Sequence, residues 1–268
     1  MRSCLYFVCF ICMSTGLSGQ ARSGTPQPVT VLGTPHVNHH GDPPFLLEEG
    51  WIPLINGKDM GGWKYRDENK AGSWTAAKGI YWDRATDSNV LIAISNTGDR
   101  IVNLPLEGGA SDIISMQTIG DMELYVEYMV PDSSDAGVYI HGLYELQIKN
   151  SFGLDFRSPV EKTSTIIGYA DRSDPIAPTV RAERPQGHWN AFHIWYQAPK
   201  FDASGKKIEN AKFLRILLNG QLIHENQERK AAAHASLEIP EAAINPAVML
   251  QGSYGPVAFR NIYVKPLQ

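Results

Sequence analysis

The chain has 268 residues, 43% hydrophobic and 19% charged, with 24 Lys and Arg against 28 Asp and Glu for a formal net charge of −4. That length suits one large all-β domain, and bases scattered among acids give no concentrated cationic face, which excludes nucleic acid as a partner class. All three cysteines, Cys4, Cys9 and Cys12, fall before residue 13, so the remainder has no thiol for a disulfide, a thiolate metal site or a cysteine nucleophile.

Residues 1–21 read as a secretory signal: Arg2 gives a positive start, Leu5 to Met13 is apolar, and Ser14 to Ala21 is small and polar, with cleavage expected after Ala21. An exported protein follows as an expectation, periplasmic, cell-surface or secreted. Loss of Arg2 would take the net charge from −4 to −5. The apolar run is much shorter than the roughly 20 residues of a membrane helix, so no membrane span is expected. Residues 22–50 carry Pro26, Pro28, Pro35, Pro43 and Pro44 among polar residues, which predicts an extended arm. His36, His39, His40 and Asp42 cluster there, and imidazoles on such an arm, without supporting hydrogen bonds, are expected to be solvated rather than metal-bound.

Residues 51–268 form the expected domain. Short apolar or alternating runs predict strands at Gly79–Asp83, Val90–Ser95, Met122–Val130, Gly137–His141, Tyr144–Lys149, Ala191–Gln197, Phe213–Leu218, Gln221–Glu225, Ala247–Gln251 and Ala258–Lys265. Asn219 and Gly220 between two of them predict a type I′ hairpin. Residues 150–188 lack a clear period and are expected to form a rim or lid over a functional surface. Glu238–Ala243, with Pro240, predicts one short helical turn. Strands without repeats point to an all-β fold, a two-sheet antiparallel β-sandwich.

Strand side chains alternate between faces. Met122, Leu124, Val126, Tyr128 and Val130 therefore share a core face, as do Val138 with Ile140 and Tyr144 with Leu146 and Ile148. If these strands adjoin in one sheet, Glu123, Glu127, Tyr139, His141, Glu145 and Gln147 share its open face. A wetted antiparallel sheet needs no function for such residues, yet rings, carboxylates and carboxamides on a concave sheet are also what sugar recognition uses. Gln251 and Arg260 are polar positions flanked by apolar ones, Arg260 serving either as an oxyanion clamp or as the partner of a buried carboxylate. His193 is expected to be a hydrogen-bonded structural histidine. No Gly-x-Ser-x-Gly elbow, zinc helix or phosphate loop occurs, and Glu123 and Glu127 do not have the spacing of a two-carboxylate glycanase strand.

Five phrases, taken in order, resemble the 3-keto-disaccharide hydrolase domain family: WIPLINGKDMGGWKY, DAGVYIHGLYELQIKNSFG, RPQGHWNAFHIWYQAPKFDASGKK, LLNGQLIHEN and LQGSYGPVAFRNIYVKPL, spanning Trp51 to Leu267. The resemblance implies a concanavalin A-like jelly roll acting on 3-keto-disaccharides by C2 deprotonation, elimination at C1 and rehydration. It implies Glu145 as base or metal-binding carboxylate; His141 stands where the family often has an arginine or glutamine, and could substitute as the proton donor. Gln147, Tyr139, Glu127, Tyr169, Gln251 and Arg260 become candidates for holding the sugar. No cofactor is certain, a divalent cation is possible, and the partner is a sugar substrate or ligand. The chain departs from the family at Asp135 and Ala136, at Asn150, and at Gly252 and Ser253, where an acid and an imidazole are usual. The alternative is a scaffold that binds carbohydrate without catalysis.

Overall fold

Alternating apolar residues bury one face of each strand, and two such faces closing on each other satisfy both. The computed structural model describes residues 44–69, 72–104, 111–154, 164–167, 175–230 and 246–267, all within one unit, Gly33–Gln268. After a 3₁₀ turn at Pro44–Leu47 come β1 (Ile52–Pro53), β2 (Trp63–Tyr65), β3 (Trp74–Ala77), β4 (Gly79–Trp82), β5 (Leu91–Ile94), β6 (Arg100–Asn103), β7 (Ile113–Thr118) and β8 (Met122–Met129). They are followed by β9 (Asp135–Ile140), β10 (Tyr144–Lys149), β11 (Asn190–Gln197), β12 (Lys200–Phe201) and β13 (Lys207–Glu209). The last are β14 (Ala211–Leu218), β15 (Gln221–Arg229), β16 (Ala247–Tyr254) and β17 (Val257–Pro266).

Eight strands form the larger sheet, in the order β15, β14, β11, β8, β17, β6, β3 with β1 also against β17; five form the smaller, in the order β10, β9, β16, β7, β2. Leu124, Val126, Tyr128, Phe192, Ile194 and Phe259 from the larger sheet meet Val138, Ile140, Leu146, Ile148 and Leu250 from the smaller in one buried cluster. This is the expected two-sheet antiparallel sandwich. All ten predicted strands are present with ends shifted by a few residues. The very short β1, β2, β12 and β13, together with β3, β6 and β7, lack the sustained alternation that would announce them. In the hairpin between β14 and β15, Leu218 pairs with Gln221, and Asn219 (φ 50°) and Gly220 (φ 81°) take the two left-handed positions a type I′ turn demands.

One expectation is corrected. β8 does not adjoin β9 and β10: its partners are β11 and β17 in the larger sheet, whereas β9 and β10 pair with each other in the smaller. The chain leaves β8 through Val130 to Ser134, with Pro131 in between, and crosses to the opposite layer instead of turning back on itself. The end of the proline-rich arm also has structure: Leu46 packs with Tyr125 and Ala191, and Phe45 lies flat on His193 at 5.0 Å.

Part of the 150–188 segment closes a side of the sandwich instead of serving only as a rim. Thr165 N donates to Gln147 O (2.7 Å) and Gln147 N to Ile166 O (3.0 Å) along the free edge of β10, while Thr179 N donates to Ile223 O (2.9 Å) on β15. His224 Nε2 donates to Thr165 O at 2.7 Å, tying the larger sheet to this seam. Residues 1–43, Tyr169 and the 238–243 helical turn lie outside the described residues.

Burial depresses the His224 imidazole to about 4, against the smaller opposing pull of the Thr165 carbonyl. Between the ordinary value of 6.5 and about 4 the unfolded chain takes up a proton that the folded chain refuses. Stability is therefore full above pH 6.5 and falls as the pH drops toward 4, by on the order of 3 kcal/mol. Urea midpoints measured at neutral and mildly acidic pH should converge between the native protein and His224→Gln as the pH falls; a gap that stays constant would refute this.

Candidate functional site

Because β10, β9 and β16 adjoin, their outward side chains stand in rows. Glu145 pairs with Tyr139, Gln147 with Gly137 and Lys149 with Asp135; across β16, Met249 continues the first row, Gln251 the second and Tyr254 the third. Gly137 is the gap in this lattice. A Cβ there would lie 3.0 Å from both Glu145 Oε1 and Tyr139 Cε2, so its absence leaves the space over which the carboxylate leans.

Hydrogen bonds join the rows. Gln251 Nε2 donates to the Tyr139 hydroxyl at 3.2 Å, and that hydroxyl is hydrogen-bonded to Glu145. Burial first, and then the negative charge of Glu145, push the phenol far above its ordinary range, which keeps it protonated and able to donate. Gln147 Nε2 donates to Asp135 Oδ1 (3.2 Å), and Lys149 Nζ holds Asp135 Oδ2 at 2.8 Å. The other amide atom, Gln147 Oε1, is buried with no hydrogen-bond partner among the described residues, an arrangement that suits an incoming hydroxyl. Tyr139 is 0% exposed, Gln147 1%, Glu145 3% and Gln251 6%, so this is a covered polar layer and not a solvated sheet face. In such a layer a carboxylate next to a protonated phenol can take a proton from carbon while the phenol supports the oxyanion that forms.

Sequence parity finds Tyr139, Glu145 and Gln147 on this face, and Gln251 stands out only as a polar position between apolar ones; their neighbours are missed. Asp112 Oδ1 accepts from Gly252 N (3.2 Å) and Ser253 Oγ (2.8 Å), and Arg66 Nη1 lies 3.7 Å from Asp112 Oδ2. Arg66 follows the three-residue β2 and Asp112 precedes β7, whose sequence lacks the alternation that would announce a strand. Asp112 thus places a carboxylate beside Gly252 and Ser253.

The remaining candidates lie elsewhere. His141 follows the last residue of β9 with φ 56°, leaving the strand's alternation. Its Nε2 approaches Ile119 O (3.0 Å) and Gly120 O (3.1 Å), and its ring meets core residue Tyr196 edge-on at 5.0 Å. It therefore takes no part in the layer around Glu145, contrary to the expected common face; burial lowers its pKa. Glu127 and Arg260 are on the larger sheet, joined by Arg260 Nε donating to Glu127 Oε2 at 2.6 Å, so the expected grouping of Glu127 with Glu145 is corrected, while Arg260, away from Glu145, takes the second of its two expected roles as the partner of a buried carboxylate. Glu123, on that sheet too, accepts from His193 Nε2 at 2.6 Å. Asp59 ends an Asx-type turn, its Oδ1 accepting from Gly61 N at 2.8 Å. Among the described residues, no three His, Cys, Asp or Glu side chains converge in a way that could hold a metal ion.

Comparison with known proteins agrees with this architecture. A crystal structure of a provisionally assigned glycosyl hydrolase from Parabacteroides distasonis ATCC 8503 matches with a TM-score of 0.58 at 21% identity, over 95% of this chain and 100% of the other. A second structure so described, from the same organism, matches at 0.50 and 14%, over 82% and 95%. At these identities the likeness speaks for the fold. No curated protein matches the sequence. The family model for the 3-keto-alpha-glucoside-1,2-lyase-like domain matches residues 50–265. With that match running from before β1 to the penultimate residue of β17, the chain belongs to the 3-keto-alpha-glucoside-1,2-lyase-like domain family.

Proposed function

We propose that the protein is a carbohydrate-active enzyme that cleaves 3-keto-glycosides at the outer layer of its smaller sheet. The observation that carries this reading is the Glu145 carboxylate set beside the protonated Tyr139 phenol, with Gln147 Oε1 nearby on the same face and without a hydrogen-bond partner among the described residues, in a chain of this family. A ketone at C3 acidifies the proton on C2. Glu145 takes that proton and, now neutral, gives up the hydrogen bond from Tyr139, whose single O–H turns to the C3 oxyanion while Gln251 donates to the phenol oxygen from its other side. The enolate then reforms its carbonyl, C1–C2 becomes a double bond, and the glycosidic oxygen leaves with the C1–O electron pair. The carboxylic acid of Glu145, which carries the C2 proton after the first step, can protonate that oxygen. Water adds hydroxide to C1 and a proton to C2, giving 3-ketoglucose. In this reading the enzyme acts outside the cytoplasm, on the strength of the leader-like residues 1–21.

Incubation with a 3-keto-disaccharide in deuterated water tests the mechanism. The expected result is release of 3-ketoglucose carrying deuterium at C2, and no release from the unoxidised disaccharide. Cleavage of the unoxidised sugar without C2 deuterium would mean an ordinary glycosidase. Saturable sugar binding without release would favour the second reading, a non-catalytic carbohydrate-binding sandwich, which the 3% exposure of Glu145 and the turning away of His141 favour.

A further inference from the structure

We infer that Asp112 is a positioning residue of the catalytic layer: its carboxylate fixes a bulge of β16 beside Gln251, and through Gln251 it holds the Tyr139 hydroxyl in place. This rests on the reading of Glu145 as the base and Tyr139 as the oxyanion donor. Gln251 faces Gly137 on β9 and Tyr254 faces Asp135, so Gly252 and Ser253 together stand against Ala136 alone. That one extra residue is a bulge, and a bulge re-aims the side chains next to it. The side chain next to this one is Gln251, whose Nε2 donates to the Tyr139 hydroxyl at 3.2 Å.

A bulge breaks the hydrogen-bonded ladder, so its geometry has to be held by other groups. Two side chains hold this one, from different sheets. Asp112, just before β7 in the smaller sheet, accepts at Oδ1 from Gly252 N (3.2 Å) and Ser253 Oγ (2.8 Å). Asn103, the last residue of β6 in the larger sheet, donates from Nδ2 to Gly252 O and, at 3.2 Å, to Gly255 O. Gly252 is thus gripped at its N–H and at its carbonyl, and a Cβ on it would lie 2.6 Å from Trp74 Cζ2 and 2.7 Å from Asn103 Nδ2. Asp112 is itself anchored. Arg66 N donates to Asp112 O at 2.8 Å, and Arg66 Nη1 lies 3.7 Å from Asp112 Oδ2. The same Nη1 reaches the sulfur of Met249, the register partner of Tyr139, at 3.9 Å. Action through charge alone is the weaker account: burial and Glu145 dominate the upward shift of the Tyr139 phenol, while Asp112 adds to it and Arg66 opposes it. Both hydrogen bonds to the bulge end on one oxygen, which an asparagine can also supply.

Steady-state kinetics on a 3-keto-disaccharide, expressed per folded molecule, test this with Asp112→Ala, Asp112→Asn, Gln251→Ala and the double alanine variant. Asp112→Ala should lower kcat by about tenfold to a hundredfold with little change in KM, as loss of placement at a reacting group does. Asp112→Asn should stay within about threefold of the native kcat, since it keeps the acceptor and loses only the charge. The double variant should be no slower than the slower single variant, because both changes act along one path. If Asp112→Ala does not fold, Ser253→Ala takes its place; it removes one of the two bonds, and its smaller loss should vanish in the Gln251→Ala background. Losses that multiply in the double variant, an asparagine variant as slow as the alanine one, or a native kcat in Asp112→Ala would each overturn the positioning role and leave the catalytic reading standing. A native protein that turns over no 3-keto-disaccharide would overturn both.

Discussion

Replacing Glu145 with glutamine is expected to lower kcat/KM on a 3-keto-disaccharide by a factor of about 10² to 10⁴, the usual contribution of a positioned general base. The amide keeps the size of the side chain and an acceptor for the Tyr139 hydroxyl, so folding should survive and the loss should appear in kcat. Gly137→Ala acts on the same carboxylate from outside. Its Cβ, 3.0 Å from Glu145 Oε1, forces the carboxylate to move, and a smaller loss in the same direction follows. Deuterium incorporation at C2 should fall in parallel with release of the leaving group in both variants. If Glu145→Gln retains the native rate while remaining folded, the base is another residue and the layer around Tyr139 has a structural purpose.

Parity made most of this layer legible in the sequence. Within β9 and β10, Val138, Ile140, Leu146 and Ile148 face the core, and Tyr139, Glu145 and Gln147 face away, as alternation requires. Which strands stand side by side is another matter, because it is set by pairings distant in sequence such as Tyr139 with Met249. Proximity along the chain suggested β8 as the neighbour, and that put Glu127 on the wrong layer. Alternation also fails wherever the backbone leaves the extended region. His141, at φ 56°, turns off the face its number assigns. Asn261, at φ 48°, marks a register irregularity between Arg260 and Tyr263, so that Phe259 and Ile262 both face the core. Arg66 and Asp112 were illegible for a simpler reason: nothing near β2 and β7 alternates long enough to reveal a strand, so neither residue could be assigned to a face.

That irregularity has an energetic consequence. It brings two consecutive side chains onto one carboxylate: Arg260 Nε donates to Glu127 Oε2 at 2.6 Å and Asn261 Nδ2 to Oε1 at 3.1 Å, with the Tyr125 hydroxyl donating to Oε1 at 3.0 Å. Glu127 is 0% exposed, and the Arg260 guanidinium lies 4.4 Å from the Trp189 ring centre. Removing one partner of a buried pair leaves the other charge desolvated, so Glu127→Ala should cost about 3 to 5 kcal/mol, measured by urea denaturation at neutral pH. The double variant Glu127→Leu with Arg260→Met removes both charges and keeps the volume, and should recover most of that loss, because desolvation offsets much of the attraction within such a pair. Full additivity of the two single costs would mean that the pair is uncoupled, against the geometry. The same double variant separates a structural role from the sugar-holding role for which the sequence made these two residues candidates. They sit on the larger sheet while Glu145 sits on the smaller, so turnover should follow the folded fraction; a folded double variant without turnover would return Glu127 and Arg260 to the substrate.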